Sequence, residues 1–249
     1  MFDPVDYTKK YSDLYRDEAF ETILVKIRRK HVLASLQKHN HQNILEIGCG
    51  LEPLFPYCEH YETYTIVEPS EEFVQHAKAL SSGKDKIHVV QGFFEEAYKQ
   101  LLGKKDFNFV ICSGLLHQVP DPVALLQSIY QLCSDSTVVH INVPNVFSFH
   151  IVLALEMGII DDIFEKSETD IELQRYTRFD KESLFRIVEE DGFQILASGT
   201  YFIKLFTNEQ MDKILKMGIV DMSIINGLER MIKYLPDMGS EMFVDVKRK

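Results

Sequence analysis

A glycine-rich segment and a separate acidic residue lie at the ends of two neighbouring predicted strands. The strand NILEI (43–47) runs directly into Gly48, Cys49 and Gly50, and Glu68 follows 18 residues after Gly50, at the end of the next predicted strand. Glycines allow a tight turn and let a ligand approach the backbone. A turn of this kind is expected to lead into a helix N-terminus, with the acidic side chain beside the ribose of a bound nucleoside.

Two other interpretations of this pattern remain open. A Gly-x-Gly segment alone is often only a tight connection between a strand and a helix. A dinucleotide such as NAD is also bound by a glycine-rich turn and an acidic residue, but its fingerprint has a third glycine where this chain has Pro53. Pro53 therefore counts against pyrophosphate binding.

Three histidines differ in their suitability for proton transfer. His117 follows the fourth predicted strand, at the sheet edge where ligands bind, and is the candidate general base; the alternative is a loop histidine bonded to the backbone. His150 starts a predicted insertion, where it contacts either the substrate or a helix end. His140 lies inside the fifth predicted strand and is expected to be a core residue.

A polar cluster follows in the segment RYTRF. Arg175 and Tyr176 are candidate substrate-binding residues, because a guanidinium binds phosphate or carboxylate well. The alternative for the arginines is ion pairing with Glu168, Asp170 or Glu172, and this is the interpretation that we favour for Arg178.

Strands alternate with helices along the chain, which predicts an α/β fold with a mostly parallel, doubly wound sheet. Strands are predicted at 43–47, 61–67, 86–91, 106–112, 136–143, 193–201 and 241–247. Helices are predicted over 12–38, from Ser70, from Asp121, over 147–158, from Asp180 to Gly192, from Thr207 to about Gly218, and over 220–234.

The chain of 249 residues fits a single domain, 1–249, with 45% hydrophobic residues to form its core. Residues 1–38 are expected to form a helical lid, and 144–180 and 202–235 are expected to be insertions that cover the substrate. The net charge of −11 disfavours nucleic acid or an anionic membrane as partner. We expect a cytoplasmic protein, and the sequence does not indicate an oligomeric state.

These segments resemble the class I S-adenosylmethionine (SAM)-dependent methyltransferases. EIGCG (46–50) is similar to their first motif, Glu68 to their second, and FVICSGLLHQVPDPVALL (109–126) to their fourth. The segments 143–162, 175–195 and 228–247 are similar to small bacterial methyltransferases associated with sugars or surface polysaccharides. The resemblance implies a Rossmann-like sheet of seven strands whose last strand is antiparallel.

The resemblance also implies roles for particular residues. Binding of SAM is implied for Glu46, Gly48 and Gly50 at its methionine part, Glu68 at the ribose, Phe93 and Phe94 near adenine, and Ser113 and Gly114 near the sulfonium. Tyr11 is the candidate aromatic residue of the lid; the alternative is a helix whose tyrosines pack on the core.

The implied reaction is metal-independent methyl transfer from SAM, leaving S-adenosylhomocysteine (SAH). The acceptor is expected to be a small polar molecule methylated on oxygen: a sugar, a sugar nucleotide, or a phosphorylated or phosphoramidate intermediate of capsule polysaccharide synthesis. No metal is expected, because Cys112, Ser113 and Gly114 stand where magnesium-dependent relatives carry acidic residues. A Rossmann-type NAD-dependent oxidoreductase or epimerase, and a non-catalytic SAM-binding protein, are the alternatives.

Overall fold

Seven strands form one sheet in this computed structural model, which describes residues 19–103, 106–173 and 175–249. They are β1 (Asn43–Ile47), β2 (Thr63–Glu68), β3 (Ile87–Gln91), β4 (Phe109–Ser113), β5 (Val138–Pro144), β6 (Phe193–Tyr201) and β7 (Glu241–Arg248). The order across the sheet is β3-β2-β1-β4-β5-β7-β6. Strands β1 to β5 pair in parallel, whereas β7 is antiparallel to β5 and β6. The predicted fold with an antiparallel last strand is confirmed.

Helices connect and flank these strands. They are α1 (Ala19–Leu36), α2 (Glu71–Leu80), α3 (Phe94–Ala97), α4 (Pro122–Leu132), α5 (Phe149–Glu156), α6 (Glu168–Glu172), α7 (Lys181–Glu190), α8 (Asn208–Lys216) and α9 (Met222–Arg230). Short 3-10 helices lie at Phe55–Tyr57, Tyr98–Gln100 and Met231–Lys233.

Side-chain caps define several helix starts, as the sequence predicted. Ser70 accepts a hydrogen bond from the Phe73 amide, and Thr207 and Gln210 form a capping box at the start of α8. Other boundaries differ from the prediction: β2 and β4 begin two and three residues later than the predicted 61 and 106. The predicted helix 12–38 is described only from Ala19 onwards.

The sheet is covered on both faces, which is what a doubly wound fold requires. One apolar cluster joins the sheet to α4 and α7, with Leu125 and Leu184 fully buried. A second joins the opposite face to α1 and α2 through Val32 and Ala77. A third packs the first half of α1 against residues 201–203, α8 and α9. Helix α1 therefore bridges the sheet and the segment 202–235.

Candidate functional site

A cavity of about 830 Å³ opens at the carboxyl ends of β1, β2 and β4. The order of strands reverses direction between β1 and β4, and ligands of doubly wound sheets bind in the crevice at this point. One face of α1 forms the opposite wall. Ten of the predicted site residues line this cavity: Glu46, Gly48, Gly50, Glu68, Phe93, Phe94, Ser113, Gly114, His117 and Arg175.

The glycine turn leaves β1 in a backbone conformation that other residues rarely adopt. Gly48 and Gly50 have φ values of 71° and 55°, and a Cβ added at Gly50 would meet no atom within 4 Å. The turn thus leaves open space beside Gly50 for a ligand. The expected helix N-terminus after this turn is wrong: between β1 and β2 the chain forms only the short 3-10 helix Phe55–Tyr57.

Glu68 is buried at the tip of β2 and connects two loops. Its Oε2 accepts from the Gly50 amide at 3.2 Å and its Oε1 from the Ser70 amide at 2.9 Å. Burial raises its pKa, although these backbone hydrogen bonds act in the opposite direction. Glu68 also lines the cavity, so its carboxylate borders the space that a ligand would occupy.

Glu46 is buried within β1 and holds the loop after the glycine turn. Both carboxylate oxygens lie 3.2 Å from the Leu54 amide, and the Tyr64 hydroxyl donates to Oε2 at 2.8 Å. Burial raises its pKa to about 7, with the Tyr64 and Leu54 hydrogen bonds opposing that shift. These contacts support the shape of the cavity wall.

Aromatic rings and small residues complete this part of the wall. Phe93, after β3, is 39% exposed, whereas Phe94 is buried in the core cluster beneath it. At the end of β4, the Gly114 amide donates to the Asn142 carbonyl at 3.0 Å. A Cβ at Gly114 would lie 3.8 Å from Nη1 of Arg28, so this guanidinium adjoins the tip of β4.

His117 is 5% exposed and lines the cavity just after β4. Its pKa is well below the usual histidine range because of burial and then the charges of Arg175 and Arg28. Its Nδ1 is buried and has no hydrogen-bond partner among the described residues. The imidazole is therefore neutral near pH 7, the form that accepts a proton.

The carbonyl of His117 also fixes the end of the segment 144–180. The amides of Tyr176 and Thr177 donate to it at 2.9 and 3.2 Å, which brings Arg175 to the cavity. Arg175 Nη1 and Arg178 Nη1 lie 3.0 and 2.9 Å from the two oxygens of Asp170. Two guanidinium groups share one carboxylate, which leaves net positive charge here.

Two predicted substrate contacts lie outside the cavity lining. Tyr176 has a side chain that is 37% exposed. The Nδ1 of His150 lies 3.0 Å from the Ser148 hydroxyl, and burial lowers the pKa of His150 well below its usual range, as do Lys204 and Arg178. Tyr11 falls outside the described residues.

Sequence reasoning missed the face of α1 that forms a cavity wall. Its lining residues recur about every three to four positions: Glu21, Thr22, Val25, Arg28, Arg29 and Val32. Arg28 binds Glu241 on β7 through Nε at 3.0 Å, and Tyr201 and Asn142 also donate to Glu241, at 2.5 and 2.9 Å. Helical periodicity could have shown that these residues lie on one face of α1. It could not have shown which residues of the sheet that face contacts.

Glu21 and Lys204 are further polar residues that the sequence did not indicate. The Asn208 side chain joins them: its Nδ2 donates to Glu21 Oε2 at 2.9 Å, and its Oδ1 accepts from Lys204 Nζ at 3.0 Å. Burial, followed by the charge of Arg175, lowers the pKa of Lys204 to about 8. Burial raises the pKa of Glu21.

No group of three or more His, Cys, Asp or Glu side chains placed to hold a metal ion occurs within residues 19–103, 106–173 and 175–249. The four cysteines are free and buried. Across the same ranges, each helix is too short or too polar to cross a membrane.

A family model described as a methyltransferase domain matches residues 15–198, more than half of the chain. The chain therefore belongs to this family of methyltransferases, and the oxidoreductase alternative is set aside. SAM is its cofactor and SAH its product. The site fits this cofactor, because the open space beside Gly50 and the carboxylate of Glu68 border one cavity.

Solved structures share the fold at low sequence identity. A SAM-dependent methyltransferase of Thermotoga maritima, described as a possible histamine N-methyltransferase, is 16% identical, with 98% of each chain covered and a TM-score of 0.64. One from Mesorhizobium loti is 15% identical over 88% of this chain and 96% of that one, with a TM-score of 0.60. The plantazolicin methyltransferase BamL, solved in complex with a triazolic desmethylPZN analogue and SAH, is 14% identical over 97% of this chain and 89% of that one, with a TM-score of 0.57. A search among curated proteins finds no significant match.

Proposed function

We propose that this methyltransferase acts on an oxygen of a small polar acceptor, with His117 as general base. The observation that carries the proposal is the neutral, buried His117 imidazole, which lines the same cavity as Gly50 and Glu68 and has an unpartnered Nδ1. Buried polar atoms without partners are rare and call for a functional or structural explanation.

The residues of the chain divide the reaction between them. SAM, when bound, supplies an electrophilic methyl group. Glu68 and the glycine turn hold the nucleoside and methionine parts. His117 takes the proton of the acceptor hydroxyl through a ring nitrogen as the oxygen attacks in line, and no metal takes part. Alignment of the two reactants supplies much of the rate enhancement.

Positive charge at this end of the cavity favours an acceptor that carries an anionic group. Arg175 lines the cavity and shares Asp170 with Arg178, and Lys204 lies close enough for Arg175 to affect its pKa. Guanidinium groups bind phosphate strongly. We therefore favour a phosphorylated sugar, a sugar nucleotide or a phosphoramidate intermediate of capsule polysaccharide synthesis. This choice rests on the family likeness of the segments 143–162, 175–195 and 228–247.

Release of SAH from SAM, measured with a panel of acceptors, tests this proposal. Matched pairs of each sugar with and without its phosphate are compared, in the presence and absence of EDTA. We expect turnover with phosphorylated members and equal rates with EDTA. Turnover of amines but not of hydroxyl compounds, or faster turnover of unphosphorylated sugars, would overturn the acceptor assignment while leaving SAM binding intact.

A further inference from the structure

Lys204 is a partly buried cation, and its only hydrogen bond within the described part of the chain is to a neutral group. Its Nζ donates to Oδ1 of Asn208 at 3.0 Å. Across residues 19–103, 106–173 and 175–249, no Asp or Glu side-chain oxygen lies within ion-pair distance of this ammonium. The guanidinium of Arg175, by contrast, pairs with Asp170.

The backbone before Lys204 is anchored to the core of the protein. Phe202 and Ile203 are buried in the apolar cluster that packs α1 against α8 and α9. The Ile203 amide donates to the Leu228 carbonyl at 3.2 Å, and the Ser240 amide donates to the Phe202 carbonyl at 2.8 Å. These contacts hold the start of the Lys204 side chain in a defined place.

Asn208 connects Lys204 to the wall of the cavity. The Nδ2 of Asn208 donates to Oε2 of Glu21 at 2.9 Å, and Glu21 lines the cavity. One side-chain amide thus separates the ammonium from a carboxylate at the cavity wall. The charged and titratable groups that interact electrostatically with Lys204 are Arg175, Glu21, Glu241, Asp170 and His150. Lys204 therefore lies at the same end of the cavity as Arg175.

Arg175 and Lys204 are two like charges that are held near each other. After burial, the charge of Arg175 is the largest cause of the lowered pKa of Lys204, which is about 8, and the smaller effect of Glu21 opposes it. Cations that are withdrawn from water are unfavourable unless an anion compensates them. Asp170 is already shared by Arg175 and Arg178, so a further anion has to come from a ligand.

We propose that Lys204 and Arg175 together bind a phosphate group of the acceptor, which makes Lys204 a further residue that determines acceptor specificity. This inference rests on the proposed function and narrows its acceptor to a phosphate monoester. A guanidinium binds two oxygens of an anion at once, whereas an ammonium binds as a point charge. A terminal phosphate has three oxygens, enough for both cations, but a carboxylate has only two.

Calorimetric titration of the SAH complex with inorganic phosphate tests the proposal, with acetate as the carboxylate probe. We expect phosphate to bind more tightly than acetate. Lys204→Met keeps the apolar stem of the side chain and should weaken phosphate binding ~10-fold or more, the loss typical of a hydrogen bond to a charged group. The affinity of the same variant for SAH should change by less than ~2-fold.

The pH dependence separates phosphate binding by Lys204 from structural support. An ammonium with a pKa of about 8 loses its charge above that pH, so the phosphate affinity of the native chain should fall between about pH 8 and about pH 9.5. Inorganic phosphate is largely a dianion over this range. Lys204→Arg stays charged and should bind phosphate equally well throughout. Lys213→Met, which changes an exposed lysine of α8, is the control and should behave like the native chain.

Three results would overturn the proposal. If Arg175→Ala weakened phosphate binding and Lys204→Met did not, Arg175 would bind the anion without Lys204, and the proposed function would stand. If the phosphate affinity of the native chain stayed constant from about pH 8 to about pH 9.5, Lys204 would have no part in binding, even if Lys204→Met folds poorly. If the native SAH complex bound no phosphate, this inference would fail together with the anionic acceptor, while the acceptor panel would still test methyl transfer to oxygen.

Discussion

Two buried glutamates line the cavity and have opposite pKa shifts. We call the part around Glu46, Glu68 and the glycine turn the cofactor end, and the part around Glu241 and Arg175, where we propose that the acceptor binds, the acceptor end. Glu46, at the cofactor end, accepts from the Leu54 amide and the Tyr64 hydroxyl, and burial raises its pKa to about 7. For Glu241, at the acceptor end, burial would raise the pKa, but the charge of Arg28 and the hydrogen bonds from Arg28, Tyr201 and Asn142 together lower it. Neutral donors alone bind the Glu46 carboxylate, whereas a cation binds Glu241 in addition to neutral donors.

This difference extends to the surroundings of each glutamate. At the cofactor end, carboxylates of Glu46 and Glu68 hold backbone amides, so the loop shape is set by uncharged donors. At the acceptor end, charged side chains pair with one another, as Arg175 does with Asp170. The first end has the fixed shape suited to a constant cofactor. We expect the charge at the second end to select a particular acceptor.

His117→Ala should give the largest effect, and it should lower the rate of methyl transfer without weakening cofactor binding. Loss of a general base lowers kcat by ~100-fold or more, while the calorimetric affinity for SAH stays within about twofold of the original. Because burial holds the His117 pKa well below its usual range, kcat of the native enzyme should stay constant down to mildly acidic pH.

Exposed His60 provides the matched control, since its side chain is 88% exposed and lies away from the cavity lining. His60→Ala should leave kcat unchanged. A decrease in kcat of less than ~10-fold in His117→Ala would show that His117 positions the acceptor and does not take its proton.

Glu68→Ala tests the cofactor end, with a somewhat smaller effect. Removing charge-assisted hydrogen bonds to the ribose should weaken SAH binding by about 1–3 kcal/mol. The exposed Glu71, three residues further on, is the control, and Glu71→Ala should bind SAH normally. Equal SAH affinity in Glu68→Ala would contradict the assignment of Glu68 to the ribose.

The two ends also differ in how far the sequence could predict them. The hydrogen bonds of the cofactor end join residues 8 and 18 positions apart, Glu46 with Leu54 and Glu68 with Gly50. Strand periodicity and a local glycine motif suffice to bring such residues together. The glycine turn, Glu68 and the tip of β4 were therefore placed correctly in one crevice.

The acceptor end is assembled from segments far apart in sequence. Arg28 pairs with Glu241 across 213 positions, and Glu21 pairs with Asn208 across 187. No local pattern specifies which helix face meets which strand edge, because tertiary packing decides it. His117 and Arg175 were predicted from their place after a strand and from their charge, whereas Glu21, Lys204 and Glu241 were not predicted at all.

Arg175→Ala should affect the acceptor end alone. Loss of a guanidinium contact should raise the KM of an anionic acceptor by about tenfold, with SAH affinity unchanged. Arg186, exposed on α7, is the matched control, and Arg186→Ala should have a normal KM. A raised KM for SAM with a normal acceptor KM would instead place Arg175 at the cofactor end.

The smallest expected effect is the pH dependence of stability at Glu46. Since its folded pKa is raised to about 7, the protonated form is favoured in the folded chain, and the resulting stability is lost as the pH rises through that value. Glu46→Gln keeps an uncharged side chain at every pH. Between about pH 5 and pH 8, the melting temperature of the native chain, measured without SAM, should fall by a few degrees relative to this variant. Glu241 has a lowered pKa, so its contribution to the stability of the fold is instead lost as the pH falls. If the melting temperatures of the native chain and Glu46→Gln changed equally with pH over this range, Glu46 would be ionised throughout. The contrast between the pKa shifts of the two glutamates would then disappear.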